Sequence, residues 1–147
     1  MPRVLAVDWG ERRVGLAVSD PTGLLATGLP TLKVNGREEA VRGVTRVAID
    51  QEAERVVVGL PLLLSGEKGE AAMRAEAFAA ALRRSLEIPV DTCDERLTTA
   101  LSARRLHETG MRGARARAKL DQGAAVALLE TYLEKLRHGA GGEHEPT

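Results

Sequence analysis

Asp8, Glu95 and Asp121 are the residues whose types and surroundings point to chemistry. Asp8 closes the apolar run Arg3 to Asp8, Glu95 follows the run Val90 to Asp94, and Asp121 stands at the start of the last helical repeat. Carboxylates gathered in one pocket repel each other unless cations intervene. Hard oxygen ligands that leave positions open for phosphate oxygens suit Mg²⁺ or Mn²⁺ rather than zinc. The chemistry of such a pocket is phosphodiester hydrolysis: one ion lowers the pKa of a bound water, and a second, about 3.5–4 Å away, stabilises the departing oxygen. Each acid also has an ordinary reading. Asp8 can be a turn residue, Asp121 a favourable charge in a helix's first turn, and Glu95 part of a solvated charge run with Asp94 and Arg96.

The choice depends on the elements that position the acids. Arg3 to Asp8 and Val14 to Ser19 are β-rich apolar runs joined by Gly10-Glu11-Arg12-Arg13, which predicts a hairpin, and a third strand is expected over Ala26 to Lys33. After the Asn35-Gly36 break, Val41, Val44, Thr45, Ala48 and Ile49 recur at helical spacing, predicting a helix over Arg37 to Glu52. Arg55 to Leu60 contains three consecutive valines, as expected of a strand buried on both faces, and Gly59-Leu60-Pro61 ends it. A second helix is expected over Gly69 to Leu86, with Ala72, Ala75, Ala79 and Leu82 as its apolar stripe, stopped by Pro89. Val90 to Asp94 is the fifth strand. Thr98 or Thr99 can cap a helix carrying Leu101, Arg105 and Leu106, which Gly110 closes. The last helix is expected over Lys119 to Arg137, with Leu120, Ala124, Leu128, Tyr132 and Leu136 on one face.

This order predicts an α/β fold with a mixed five-stranded sheet flanked by helices. Crossovers of this length make the first, fourth and fifth strands parallel neighbours, and the second and third extend the sheet antiparallel. Ligand chemistry gathers at the carboxyl ends of parallel strands. Asp8 and Glu95 then share one edge, and only the final helix can bring Asp121 over it.

Four cations, Arg112, Arg115, Arg117 and Lys119, lie between Thr109 and Leu120 with no acid among them. Together with Gly110 and Gly113 they read as a mobile basic loop able to hold phosphates beside the pocket. A solvated surface loop is the rival reading. Arg13 and Arg96 adjoin the acids in sequence, as phosphate contacts or as structural ion-pair partners. Lys68 is a further phosphate candidate. Cys93 reads as a small core residue rather than a nucleophile. His107, His138 and His144 lack ligand spacing.

With 147 residues, the chain fits one domain, expected over residues 1–138, with a polar, glycine-rich flexible tail over 139–147. Lys+Arg 21 balance Asp+Glu 21, so polyanion binding must come from local clustering. The N-terminus has no apolar core of signal-peptide length, and no apolar run is long enough for a membrane span; with a single cysteine, the expectation is a soluble cytoplasmic protein. Trp9, Phe78 and Tyr132 are the only aromatics, too few for a base-stacking platform.

The stretches bearing the acids resemble the YqgF family, also called RuvX, of Holliday junction resolvases and pre-16S rRNA nucleases. Asp8-Trp9-Gly10 through Arg13-Val14-Gly15 and Ser19-Asp20 is similar to the family's opening hairpin, and Val58-Gly59-Leu60-Pro61 with Gly66 and Gly69 to its central strand and loop. Asp94-Glu95-Arg96-Leu97-Thr98-Thr99 resembles its third signature. Leu120-Asp121 with Ala124-Ala125 and Tyr132-Leu133 resembles its closing helix. The resemblance implies a ribonuclease H-like fold, with Asp8, Glu95 and Asp121 as catalytic metal ligands. It also implies a nuclease that matures the 5′ end of precursor 16S rRNA, or one that resolves branched DNA, where two symmetric cuts would favour a homodimer. The chain departs from the pattern twice. Leu62-Leu63-Leu64 replaces a polar residue after Gly-Leu-Pro, and Ala124 and Ala125 stand where related resolvases place a fourth acid, so the second ion would need substrate phosphate. Two other classes remain open: a non-catalytic nucleic-acid-binding domain, and an ATP-dependent phosphotransferase, whose actin-like relatives need two such domains.

Overall fold

The computed structural model describes residues 2–63, 65–94 and 113–138, with 113–121 described as helical backbone. The strands are β1 (Val4–Asp8), β2 (Arg13–Ser19), β3 (Ala26–Lys33), β4 (Arg55–Leu60) and β5 (Val90–Asp94), and the described helices are α1 (Arg37–Asp50), α2 (Glu70–Ser85) and α3 (Gly113–Arg137). They form one sheet of order β3-β2-β1-β4-β5. The β1–β2 and β2–β3 pairs are antiparallel and the β1–β4 and β4–β5 pairs parallel, the topology that the alternation of elements predicts.

Alternating side chains divide the core between two faces. Leu5, Val7, Val14, Leu16, Val18, Val56 and Val58 pack against Ala40, Val44 and Ala48 of α1 and Phe78, Ala79 and Leu82 of α2. Val4, Ala6, Ala17, Val57 and Cys93 meet Ala125, Leu128, Leu129, Tyr132 and Leu133 of α3. β4 is buried on both sides, as its valine run requires. Cys93 is a buried core residue.

Two helices differ from expectation. In α1 the buried line is Ala40, Val44 and Ala48, while Ile49 is 67% exposed. Ile49 stands about 100° round the helix from Ala48, and in the last turn no neighbour covers it. α3 begins at Gly113, not Lys119, so Arg115, Arg117 and Lys119 lie on helix rather than in a loop. Ala, Arg, Lys and Leu are strong helix formers, and their summed propensity extends the helix through the segment that glycine and charge marked as loop. The helix expected between Thr98 and Gly110, and the tail 139–147, lie outside the described residues. Among the described residues, no helix is long and apolar enough to cross a membrane.

Candidate active site

β1 sends Leu5 and Val7 to the α1–α2 face and Val4 and Ala6 to the α3 face, so Asp8 at its carboxyl end falls on the α3 side. Gly10 lets the chain turn directly after it, because a Cβ there would stand 2.5 Å from the Arg13 carbonyl oxygen. Asp8 pairs with Gly15 of β2. The β2–β3 register passes from Val14–Leu32 to Leu16–Leu29, leaving Pro30 and Thr31 opposed to Gly15. This bulge sharpens the twist of the sheet beside Asp8.

Across the parallel strands Val7 aligns with Val58, and Val58 with Thr92. Asp8 therefore ends β1 level with Gly59 and Cys93. Gly59 presents no side chain beside it. The strand spacing puts β5 about 9–10 Å from β1. Glu95 and Arg96, which follow Asp94 at the end of β5, lie outside the described residues, as does Arg112.

Asp121 is on α3, but about two turns inside it rather than in its first turn. The macrodipole fades within the first turn, so it cannot account for an acid at this position. The position shares the helical row of Ala125, Leu128 and Tyr132, which is the row buried against the sheet. Backbone geometry thus brings position 121 to the same face as Asp8. Among the described residues there is no ready-made group of three metal-ligating side chains.

The three described helices direct their N-termini to this edge. The Gly36 N–H donates to the Glu11 carbonyl at 3.1 Å, and Arg74 in the first turns of α2 reaches Glu11 at 3.9 Å, so α1 and α2 both start beside the β1–β2 turn. In α3, Gln122 bonds β3 near this edge, while Arg137 bonds the Gly23 carbonyl in the β2–β3 turn at the other. Each positive helix end favours anions within its own first turn.

Of the expected phosphate contacts, Arg13 starts β2 opposite Lys33. Lys68 is paired with Glu76 at 2.5 Å, an exposed ion pair. Arg115, Arg117 and Lys119 occupy the first turns of α3, where no acid accompanies them in the first turn and the dipole disfavours cations. On the opposite face of the sheet, an open cleft of about 820 Å³ holds Arg12, Arg37 and Arg74, but Glu11, Glu38 and Glu70 cancel their charge.

Sequence reasoning missed the polar ties of α3. The Gln122 side-chain amide donates to the Leu29 carbonyl at 2.9 Å. At the far end, the Tyr132 hydroxyl donates to Asp91 at 2.5 Å and accepts from Arg55 at 3.1 Å. Burial, with the bond to Asp91, pushes the Tyr132 phenol up to about 12. No periodic signal could have paired residues so distant in sequence.

The strand order, the two-faced helical cover and an acid at the carboxyl end of the first strand define a ribonuclease H-like fold. The model of the RuvX family, described as a Holliday junction resolvase, matches residues 2–135, and the chain belongs to this family of nucleases. A Chloroflexus aurantiacus protein named "Putative pre-16S rRNA nuclease" is 38% identical over 142 residues, covering 97% of this chain and 93% of that protein. A Rhodococcus erythropolis protein of the same name is 44% identical over 138 residues, covering 90% and 78%. Among solved structures, T. thermophilus RuvC in complex with a Holliday junction substrate superposes with a TM-score of 0.61 at 18% identity, covering 93% of this chain and 96% of that one. The Fowlpox virus resolvase in complex with Holliday junction DNA gives 0.56 at 14% identity, covering 91% and 98%. At these identities the likeness is one of fold.

Proposed function

We propose that the protein is a divalent-metal-dependent nuclease that hydrolyses phosphodiester bonds during maturation of the 5′ end of precursor 16S rRNA, with Asp8, Glu95 and Asp121 as its catalytic carboxylates. The observation that carries this reading is that Asp8 closes β1 on the side of the sheet against which Ala125, Leu128 and Tyr132 of α3 pack, the helical row to which position 121 belongs. Hard carboxylate oxygens gathered at the carboxyl ends of parallel strands suit Mg²⁺ or Mn²⁺. When bound, the metal supplies charge neutralisation and activation of water. The protein's own residues hold the ions and align the phosphate.

Arg115, Arg117 and Lys119, with Arg112 just before them, are placed where their helix gains nothing from their charge. An external phosphate backbone is the partner that would stabilise them. Arg13, Arg96 and Lys68 are further contacts, Lys68 after release from Glu76. The working unit is residues 1–138, in the cytoplasm, where precursor rRNA is processed.

The curated relatives' name supports the RNA substrate. The family description favours a second reading, resolution of branched DNA, for which two symmetric cuts would call for a homodimer. Incubation of the purified chain with labelled precursor 16S rRNA, a four-way junction and linear controls, with Mg²⁺, Mn²⁺ or EDTA, separates them. Metal-dependent cleavage of the rRNA precursor that disappears in Asp8→Asn is the expected result. Symmetric cutting of the junction alone would replace the first reading with the second, and binding without cleavage under any metal would refute both.

A further inference from the structure

We propose that Gln122 is a positioning residue, whose side-chain amide fixes the rotation of α3 about its own axis and so sets the place of Asp121. This rests on the reading of Asp121 as a metal ligand.

The contact is part-buried and directional: Nε2 stands 2.9 Å from the Leu29 carbonyl oxygen. Leu29 lies opposite Leu16, which lies opposite Val7, the residue before Asp8. The bond thus ties the helix to the sheet beside Asp121 and at the level of Val7, one residue from each of two proposed ligands. The helix packs closely on β3 here: a Cβ at Gly28 would be in ordinary van der Waals contact, 3.4 Å from the Gln122 Cβ and 3.5 Å from a Val126 methyl.

Among the described residues, this part of the interface also holds Ala124, Ala125, Val126, Leu128 and Leu129, whose apolar contacts are not directional and permit small rotations. A side-chain tip lies about 5–6 Å from a helix axis, so a turn of roughly 10° displaces it by about 1 Å. A misplacement of that size can cost about 100-fold in rate. The polar tie at Tyr132 is roughly 15 Å further along the helix and holds its other end.

The test compares Gln122→Met, Tyr132→Phe and Asp121→Asn in the full chain. The readouts are Tm, Mn²⁺ binding without substrate by electron paramagnetic resonance, and the Mn²⁺ dependence of cleavage. Gln122→Met is expected to weaken Mn²⁺ binding and raise the half-activating concentration about 10–100-fold, leaving KM for nucleic acid unchanged. Tyr132→Phe is expected to lower Tm at least as much while keeping Mn²⁺ dependence within about twofold. If Gln122→Met does not fold, Gln122→Ala, which introduces the strongest helix former, replaces it. A Gln122 variant that lowers Tm with wild-type Mn²⁺ binding, alongside an Asp121→Asn protein that no longer binds the ion, overturns the inference alone. Wild-type Mn²⁺ dependence in Asp121→Asn overturns the assignment of Asp121 and the inference with it.

Discussion

On one face of the sheet, Phe78 stacks on Trp9 with ring centroids 4.6 Å apart, and valines and leucines fill the space beneath α1 and α2. On the other face, among the described residues, α3 lies on alanines and leucines and is held by polar ties at Gln122, Tyr132 and Arg137. Apolar contacts supply stabilisation without a preferred direction, whereas hydrogen bonds are directional and define position. The face that carries Asp8 and position 121 buries Leu128, Leu129 and Leu133 and adds the polar ties. The difference leads us to expect aromatic packing on the α1–α2 face to act on stability and the ties of α3 to act on position.

The sharpest way to separate the faces is Asp8→Asn. We expect a loss of about 10⁴-fold in kcat, equivalent to roughly 5–6 kcal/mol of barrier, with an unchanged Tm. Phe78→Ala should do the reverse: about 3–5 kcal/mol of stability lost in urea unfolding, with kcat of the folded fraction retained. Loss of kcat without loss of stability in Phe78→Ala would break the comparison.

Tyr132 is the sole tyrosine, so absorbance at 295 nm reports it alone, and its ionisation should have a midpoint of about 12. Its folded pKa lies above the unfolded value near 10. Stability from this hydrogen-bonded phenol is therefore complete below about pH 10 and is lost as pH rises through about 12. Tyr132→Phe should remove that alkaline slope. Neutralising Arg115, Arg117 and Lys119 together should weaken nucleic-acid binding and reduce the salt slope by about one unit for each phosphate no longer neutralised; unchanged affinity and slope would exclude them from the interface.

The smallest effect is expected at the opposite sheet edge. Asp20 accepts from the Leu25 N–H, the Thr22 hydroxyl and the Leu24 N–H, and these bonds lower its pKa to about 2. The stability it contributes is present above the unfolded value near 3.9 and lost as pH falls through about 2. The amide shifts of Leu24 and Leu25 should titrate there.

The five strands were legible because strand-forming runs and their turn residues are local signals. The β3, β4 and β5 bounds coincide with the runs Ala26 to Lys33, Arg55 to Leu60 and Val90 to Asp94. The start of α3 was not legible. Gly113 and the basic residues after it signal loop, while Ala114, Ala116 and Ala118, which alternate with Arg115, Arg117 and Lys119, favour helix. Of the proposed site, Asp8 was legible as a strand-end acid, whereas the depth of Asp121 within α3 followed from that misplaced start.

By itself the sequence determined the order of strands and helices, the parallel and antiparallel pairings and the identity of Asp8 as a strand-end acid, because periodicity, turn residues and crossover length act over short stretches of chain. Only the tertiary structure decided where α3 lies, that position 121 shares a buried row with Ala125 and Leu128, and that Gln122 and Tyr132 tie the helix to β3 and β5. These contacts join residues far apart in the chain. Their partners are chosen by the packing of a helix on a twisted sheet, which no local pattern encodes.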